Sequence, residues 1–299
     1  MPITVQPVTP SFAAEVGDVD LGQPLSAGDV ATIKAAFTKY AVLVFPDQTF
    51  SDESHLDFAR HFGPLETSVF AIRQDHKMRL HAQMADVGNL DADDNILKTD
   101  DRIRLYQLGN RLWHTDSSFK RVPAYCSILH GRSIPPIGGH TEFADLRAAY
   151  DALPEATKRR IEGLVAEHSL LTSRARLGFG DFDETERKAF EPVPQVLVRR
   201  LQDSGRMSLY LASHAGAIRG MARDDAEKLL KELIEHATQR QFVYTHRWRL
   251  NDLVMWDDRC TMHRGLEFDD QRYKRDMRRA TVSDVAPTCE QMGLAVAAE

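Results

Sequence analysis

The residues of this 299-residue chain that are equipped for chemistry fall into a few short clusters. In Trp113-His114-Thr115-Asp116 a histidine and an aspartate stand two positions apart. On a strand, residues i and i+2 share a face at roughly 7 Å, so imidazole and carboxylate can converge on one metal ion while Thr115 points away. His140-Thr141-Glu142 offers the same kind of pair, so spacing alone leaves both open. His263, within the stretch from Trp256 to Gly265, is the candidate third ligand for either pair. Two histidines and one carboxylate occupy one face of an octahedral ferrous ion and leave positions for an oxidant and a cosubstrate; a closed zinc site needs a fourth ligand. The basic stretch from Arg272 to Thr281 would, on a strand, place Arg275, Met277, Arg279 and Thr281 on one face. Its two guanidinium groups would start about 13 Å apart, a spacing that suits two separate anions better than one.

These clusters need a scaffold, and the text around them reads as mixed. A helix is predicted from Ser26 to about Tyr40, a buried strand over 41–45, and a second helix after Ser51 that stops near Gly63. Strands are predicted at 124–130, 138–143, 241–246, 252–256 and 278–283, with helices at 145–163 and 224–237. Strands flanked by helices at uneven intervals fit an antiparallel β core with flanking helices. Residues 66–110 and 168–190 read as long loops, the first of them a lid that includes Ser68, Val69, Phe70, Ala71, Ile72 and Arg73.

Composition closes off other classes. Hydrophobic residues make up 42% and charged residues 27%, as in an ordinary globular protein. A formal charge of −6 offers no general attraction for nucleic acid or anionic membrane. No apolar run approaches the roughly 18 residues of a membrane span, and the start lacks a signal-like pattern, so a cytoplasmic location is expected. Cys126, Cys260 and Cys289 are scattered and predicted to be spectators. Gly-rich phosphate-binding motifs are missing, which removes the commonest nucleotide-binding readings.

Taken in order, Trp-His-x-Asp, Gly-Gly-x-Thr-Glu-Phe, Trp-Asp-x-Arg-x-x-x-His-Arg and Arg-x-x-x-Arg-Ala-Thr resemble the ferrous iron and 2-oxoglutarate-dependent dioxygenases of the taurine and 2,4-dichlorophenoxyacetate group. The likeness covers nearly the whole chain and points to the 2,4-dichlorophenoxyacetate branch through the segments at 58–66, 112–119, 147–154 and 236–244. It implies a single domain over 1–299, mainly β with flanking helices, built on a double-stranded β-helix (a cupin-like jelly roll). It also implies His114, Asp116 and His263 as ligands of Fe(II), which demotes His140 and Glu142. Thr141 and Arg275 would hold the distal carboxylate of 2-oxoglutarate, and Arg279 would stand near its inner carboxylate and the anionic group of the substrate. Asn110, Ser117 and His214 fall where the family lines its substrate pocket, and Trp256 would pack near the iron.

The implied reaction uses O2 and 2-oxoglutarate to hydroxylate a small anionic organic substrate, releasing succinate and CO2. For an aryloxyacetate such as 2,4-dichlorophenoxyacetate, hydroxylation beside the ether oxygen leads to a phenol and glyoxylate. Other aromatic or aliphatic carboxylates, or a sulfonate, are alternatives within the family. A zinc or manganese hydrolase or epimerase, and a non-catalytic 2-oxoglutarate sensor, are the readings outside it; neither explains the paired arginines together with Thr141. Asp116 keeps the carboxylate ligand that related halogenases replace. A homo-oligomer is expected from the family likeness.

Overall fold

The computed structural model of the chain describes residues 2–69 and 78–295. The first eight strands are β1 (Thr4–Pro7), β2 (Ala14–Gly17), β3 (Val42–Phe45), β4 (Met84–Asp86), β5 (Ala124–Ser133), β6 (Thr141–Asp145), β7 (Val165–His168) and β8 (Val193–Val196). They are followed by β9 (Val198–Arg200), β10 (Met207–Leu209), β11 (Ala215–Ile218), β12 (Val243–His246), β13 (Leu253–Asp257), β14 (Thr261–Gly265) and β15 (Asp276–Ser283). The helices are α1 (Ala27–Tyr40), α2 (Asp52–Arg60), α3 (Arg102–Gln107), α4 (Leu146–Asp151), α5 (Glu155–Ile161), α6 (Leu170–Ala175), α7 (Glu184–Ala189), α8 (Arg223–Ala237) and α9 (Thr288–Gln291).

A seven-stranded sheet runs in the order β1-β2-β3-β13-β5-β15-β4, and a three-stranded sheet in the order β12-β6-β14. Except for the parallel pair β2 and β3, neighbours in both sheets are antiparallel. The large sheet is buried on both faces, which explains why its central strands read as continuous apolar runs. Leu43, Phe45, Ile128, Met255 and Val282 face α1 and α2, packing with Ile33, Phe37, Leu56 and Phe58. The alternating Val42, Val44, Leu129, Val254, Trp256 and Met277 pack on the other side with Phe143 of β6 and Tyr244 of β12. A third cluster gathers Leu229, Leu230 and Leu233 of α8 with α4 and the short strands β9 to β11.

Local chemistry sets the boundaries. Ser26 and Asp29 form a reciprocal capping box at the start of α1, and Ala41 closes it in the left-handed conformation. The single helix expected over 145–163 is two, α4 and α5, because Pro154 cannot continue the first and serves as the N-cap of the second. The strand expected from 138 begins only at Thr141, since Gly138 and Gly139 sit at φ +77° and +67° in a turn. Residues 240–242 form a 3-10 turn, so the expected strand at 241 starts at Val243.

Both segments read as long loops contain regular structure. Within 66–110, β4 pairs with β15 and α3 follows Asp101, whose side chain caps it; Phe70 to Arg73 of that segment lie outside the described residues. Within 168–190, Ser169 caps α6, and Asp183 with Glu186 forms a capping box for α7. Helices this short depend on caps and tertiary contacts, which apolar periodicity cannot register. Among the described residues, no helix is long and apolar enough to cross a membrane.

Candidate metal centre

His114 is fixed to β14 by an isolated antiparallel bridge: its backbone N–H donates to the His263 carbonyl at 3.0 Å, and the return bond measures 2.8 Å. Thr115 turns inward, its hydroxyl 2.9 Å from the carbonyls of both Leu211 and Thr261. The regular strand expected beneath the His-x-Asp pair is not formed. Asp116 opens a turn, with Ser117 at φ +51°, because its N–H donates to the Asp258 carboxylate at 3.1 Å instead of entering a ladder. His114, Asp116 and His263, all buried, nevertheless bring one ligand atom each to within 4.8 Å of one another.

The protonation states suit a cation. The His114 Nδ1 lies 2.7 Å from the Leu112 carbonyl, which can only accept, so Nδ1 carries the proton and Nε2 keeps its lone pair. That Nε2 stands 3.8 Å from Asp116 Oδ1, and His263 Nε2 stands 3.7 Å from Asp116 Oδ2. Burial holds both imidazoles below their ordinary range, and His114 adds to the effect on His263. For Asp116, burial alone would raise the carboxyl; Arg279 foremost, then His263, His114 and a hydrogen bond from Ser127, hold it at about 2. Burial and the adjacent Asp116 charge push Asp258 well above the carboxylate range. Two neutral imidazoles and one anionic carboxylate, crowded together on one side, fit a divalent transition metal. Aromatic walls fix the set, with Trp256 4.7 Å and Phe143 6.0 Å from the His263 ring.

His114 and Asp116 open onto a cleft whose wall also includes Asn110, Ser117, His214 and Arg279. Arg279 donates to Asp116 Oδ1, and its Nε has no hydrogen-bond partner. Arg279 and Thr281 face this cleft from β15, while Arg278, just before Arg279, pairs with Asp52 and Asp276 on the opposite side, as strand alternation requires. Ser117 donates to Glu66 at 2.7 Å, and Lys120 pairs with the same carboxylate.

Arg275 lines an adjoining cleft that shares Asn110 with the first. Its Nη1 donates to the Val87 carbonyl at 2.9 Å, its Nε is unpartnered, and among the described residues no carboxylate pairs with it. Burial pulls its guanidinium down to about 10. Gly265, on the wall of this cleft, is the strand partner of Thr141. The Thr141 hydroxyl accepts from Trp248 Nε1 at 3.0 Å, which leaves its own proton available. The rival pair separates: Glu142 faces outward and pairs with Arg264, while Phe143 beside it turns inward onto His263.

Several participants carried no mark in the sequence. Ser127 donates to Asp116 from the middle of β5, Trp248 supports Thr141, and Arg174 of α6 lines the main cleft. Each reaches the site through a contact distant in sequence, so no local spacing announces it.

The chain matches the family model described as taurine catabolism dioxygenase TauD, TfdA family, over residues 4–281. It is 43% identical to the alpha-ketoglutarate-dependent 2,4-dichlorophenoxyacetate dioxygenase of Cupriavidus pinatubonensis, covering 96% of this chain and 99% of that one. It is 38% identical to the (S)-phenoxypropionate/alpha-ketoglutarate-dioxygenase of Sphingobium herbicidovorans, covering 89% and 90%. Among solved structures, AAD-2 in complex with Mn(II) and N-oxalylglycine superposes with a TM-score of 0.89 at 47% identity, covering 96% of this chain and 99% of that one. The protein therefore belongs to the TauD/TfdA dioxygenase family.

Proposed function

We propose that this protein is an Fe(II)- and 2-oxoglutarate-dependent dioxygenase that hydroxylates a small aryloxyalkanoate of the 2,4-dichlorophenoxyacetate type. The observation that carries the reading is the convergence of a neutral histidine pair and an anionic carboxylate with Arg279 in one cleft, beside a buried, carboxylate-free Arg275. Metal and cosubstrate, when bound, supply the oxidising power: 2-oxoglutarate loses CO2 and takes one atom of O2 to become succinate, and the second atom enters the substrate C–H bond. The chain's part is to hold and orient.

His114, Asp116 and His263 hold the metal through Nε2, carboxylate and Nε2. Arg275 takes the distal carboxylate of 2-oxoglutarate, assisted by Thr141, whose hydroxyl already accepts from Trp248 and so donates its own proton. Arg279 sits beside the inner carboxylate and the anionic end of the substrate. Asn110, Ser117 and His214 shape the substrate side of the cleft. A carbon hydroxylated beside an ether oxygen is a hemiacetal, which collapses to a phenol and glyoxylate. We read the two main sheets as the halves of a double-stranded β-helix in one domain, with the segments near 66–110 and 168–190 as cleft-covering walls. The family likeness also supports a homo-oligomer working in the cytoplasm.

The test is anaerobic loading with Fe(II) and 2-oxoglutarate, then O2, with succinate and phenol measured for phenoxyacetate, phenoxypropionate and taurine. Phenol and succinate should rise together with an aryloxy acid and vanish in Asp116→Ala. Metal-loaded wild-type protein that makes no succinate with any of these acids would refute the proposal.

A further inference from the structure

Besides Arg279 and the Glu66-paired Lys120, a third cation faces the main cleft, and neither the metal nor 2-oxoglutarate accounts for it. Arg174 of α6 is only 4% exposed and lines the cleft that also contains His114 and His214. Among the described residues no carboxylate pairs with it, and its Nε has no hydrogen-bond partner. Burial pulls its guanidinium below the ordinary arginine range, and the Tyr106 side chain and the Asp116 charge offset this only in part. A buried charge that no ion pair neutralises is costly to keep, so this position calls for an anion from outside the chain.

The surroundings hold this guanidinium without neutralising it. It lies over the Tyr106 ring, 4.4 Å from the centroid. On another side it rests on Gly109, where an added Cβ would come within 2.1 Å of Nη1. Its Nη1 also donates to Ser173 Oγ at 3.2 Å. That hydroxyl gives its single proton to the Leu170 carbonyl at 2.9 Å, so it must accept from His214 Nδ1, 2.9 Å away. His214 is thereby fixed as the Nδ1–H tautomer, and its Nε2 offers a lone pair. A lone pair repels a carboxylate, so His214 cannot be the group that binds one. Arg279, in turn, is engaged with Asp116.

We propose that Arg174 is the anchor for the carboxylate of the primary substrate, and that the ring of Tyr106 and the bare backbone of Gly109 hold its guanidinium in place. This rests on the dioxygenase reading and adds to Arg279, near the anionic end of the substrate, a buried cation that grips the carboxylate itself. With the carboxylate on Arg174, the aryloxy carbon beside it is tethered on the wall that also carries His214, within the cleft onto which the metal ligands open.

The test compares phenoxyacetate with its neutral, nearly isosteric amide in wild type, Arg174→Gln, Arg174→Lys and Gly109→Ala. In Arg174→Gln, KM for the acid should rise on the order of a hundredfold and that for the amide by no more than a few fold, so the preference for the acid collapses. Anaerobic titration of the iron charge-transfer band should show 2-oxoglutarate affinity within about twofold of wild type. Arg174→Lys should recover part of the acid preference. Gly109→Ala, which keeps the charge but displaces it, should lose acid affinity in the same direction. An unchanged acid preference in Arg174→Gln, an equal loss for acid and amide, or a parallel loss of 2-oxoglutarate would overturn the assignment. If Arg174→Gln does not fold, Gly109→Ala and Arg174→Lys decide it by the same ratio. If wild type turns over neither compound, the dioxygenase reading fails on its own, and calorimetric binding of acid against amide to wild type and variants still decides the role of Arg174.

Discussion

Ser127→Ala should weaken metal binding by roughly one to two orders of magnitude while leaving the fold intact. Ser127 lies in β5, paired with Trp256 of β13 on one side and Thr281 of β15 on the other, and it is fully buried. Its hydroxyl donates to Asp116 Oδ2 at 2.8 Å, and no solvent can replace it there. A hydrogen bond to a charged group is worth about 1.5–3 kcal/mol; at about 1.4 kcal/mol per decade this is roughly a tenfold to 150-fold change in an equilibrium constant. Loss of a group that orients a metal ligand falls in a similar range, about 10- to 100-fold. Removing one oxygen atom leaves the backbone ladder untouched, so metal-free protein should still fold, with a thermal midpoint lower by a few degrees because the buried carboxylate loses a donor there too. Equilibrium titration of Mn(II) or anaerobic Fe(II), alongside thermal denaturation without metal, reads both effects. A metal Kd within threefold of wild type would refute the claim that Ser127 positions Asp116, as would a variant that no longer folds without metal.

Acid should destabilise the fold through buried histidines. Burial holds His55 and His168 down to about 3 and His130 to about 4, so they stay neutral in the folded chain while the unfolded chain binds protons below about 6.5. Their contribution is complete above that value and is lost as the pH falls toward 4, at up to about 2 kcal/mol each by pH 5; urea midpoints that agree at pH 7 and 5 would contradict it. Gly88→Ala should raise KM for 2-oxoglutarate at least tenfold with little change in metal affinity, because the added Cβ would stand 2.4 Å from the Arg275 carbonyl oxygen and force that backbone to move; steady-state kinetics across 2-oxoglutarate concentrations check it. Thr115→Val should lower the thermal midpoint by a few degrees, since two buried carbonyls lose a donor worth about 1–3 kcal/mol, and calorimetry measures this directly.

The agreement with known relatives gives the motifs a common frame, yet their chemistry depends on residues that no motif contains. Asp116 is kept anionic by Arg279 and Ser127, on β15 and β5, and its backbone N–H is held by Asp258. Substitutions at these supports should therefore alter metal chemistry without touching a ligand.

Local physics made much of this protein legible before folding. Capping residues and apolar spacing placed α1, α2 and α8 to within a residue or two, and of the face expected to carry Arg275, Met277, Arg279 and Thr281, Arg279 and Thr281 share the cleft while Arg275 lies just before β15, on the adjoining one. Such features rest on neighbours a few positions apart, whose identities the chain states outright. Spacing could not choose between His114 with Asp116 and His140 with Glu142; the structure separates them because β6 turns Glu142 outward to Arg264 while the bridge to β14 sets His114 against His263. Nor did any local pattern mark α6, Ser127, Trp248 or Arg174. Their roles arise from packing between segments far apart in the chain, and only the assembled fold decides which polar groups lose water, which keep a charge, and which are left facing the cleft.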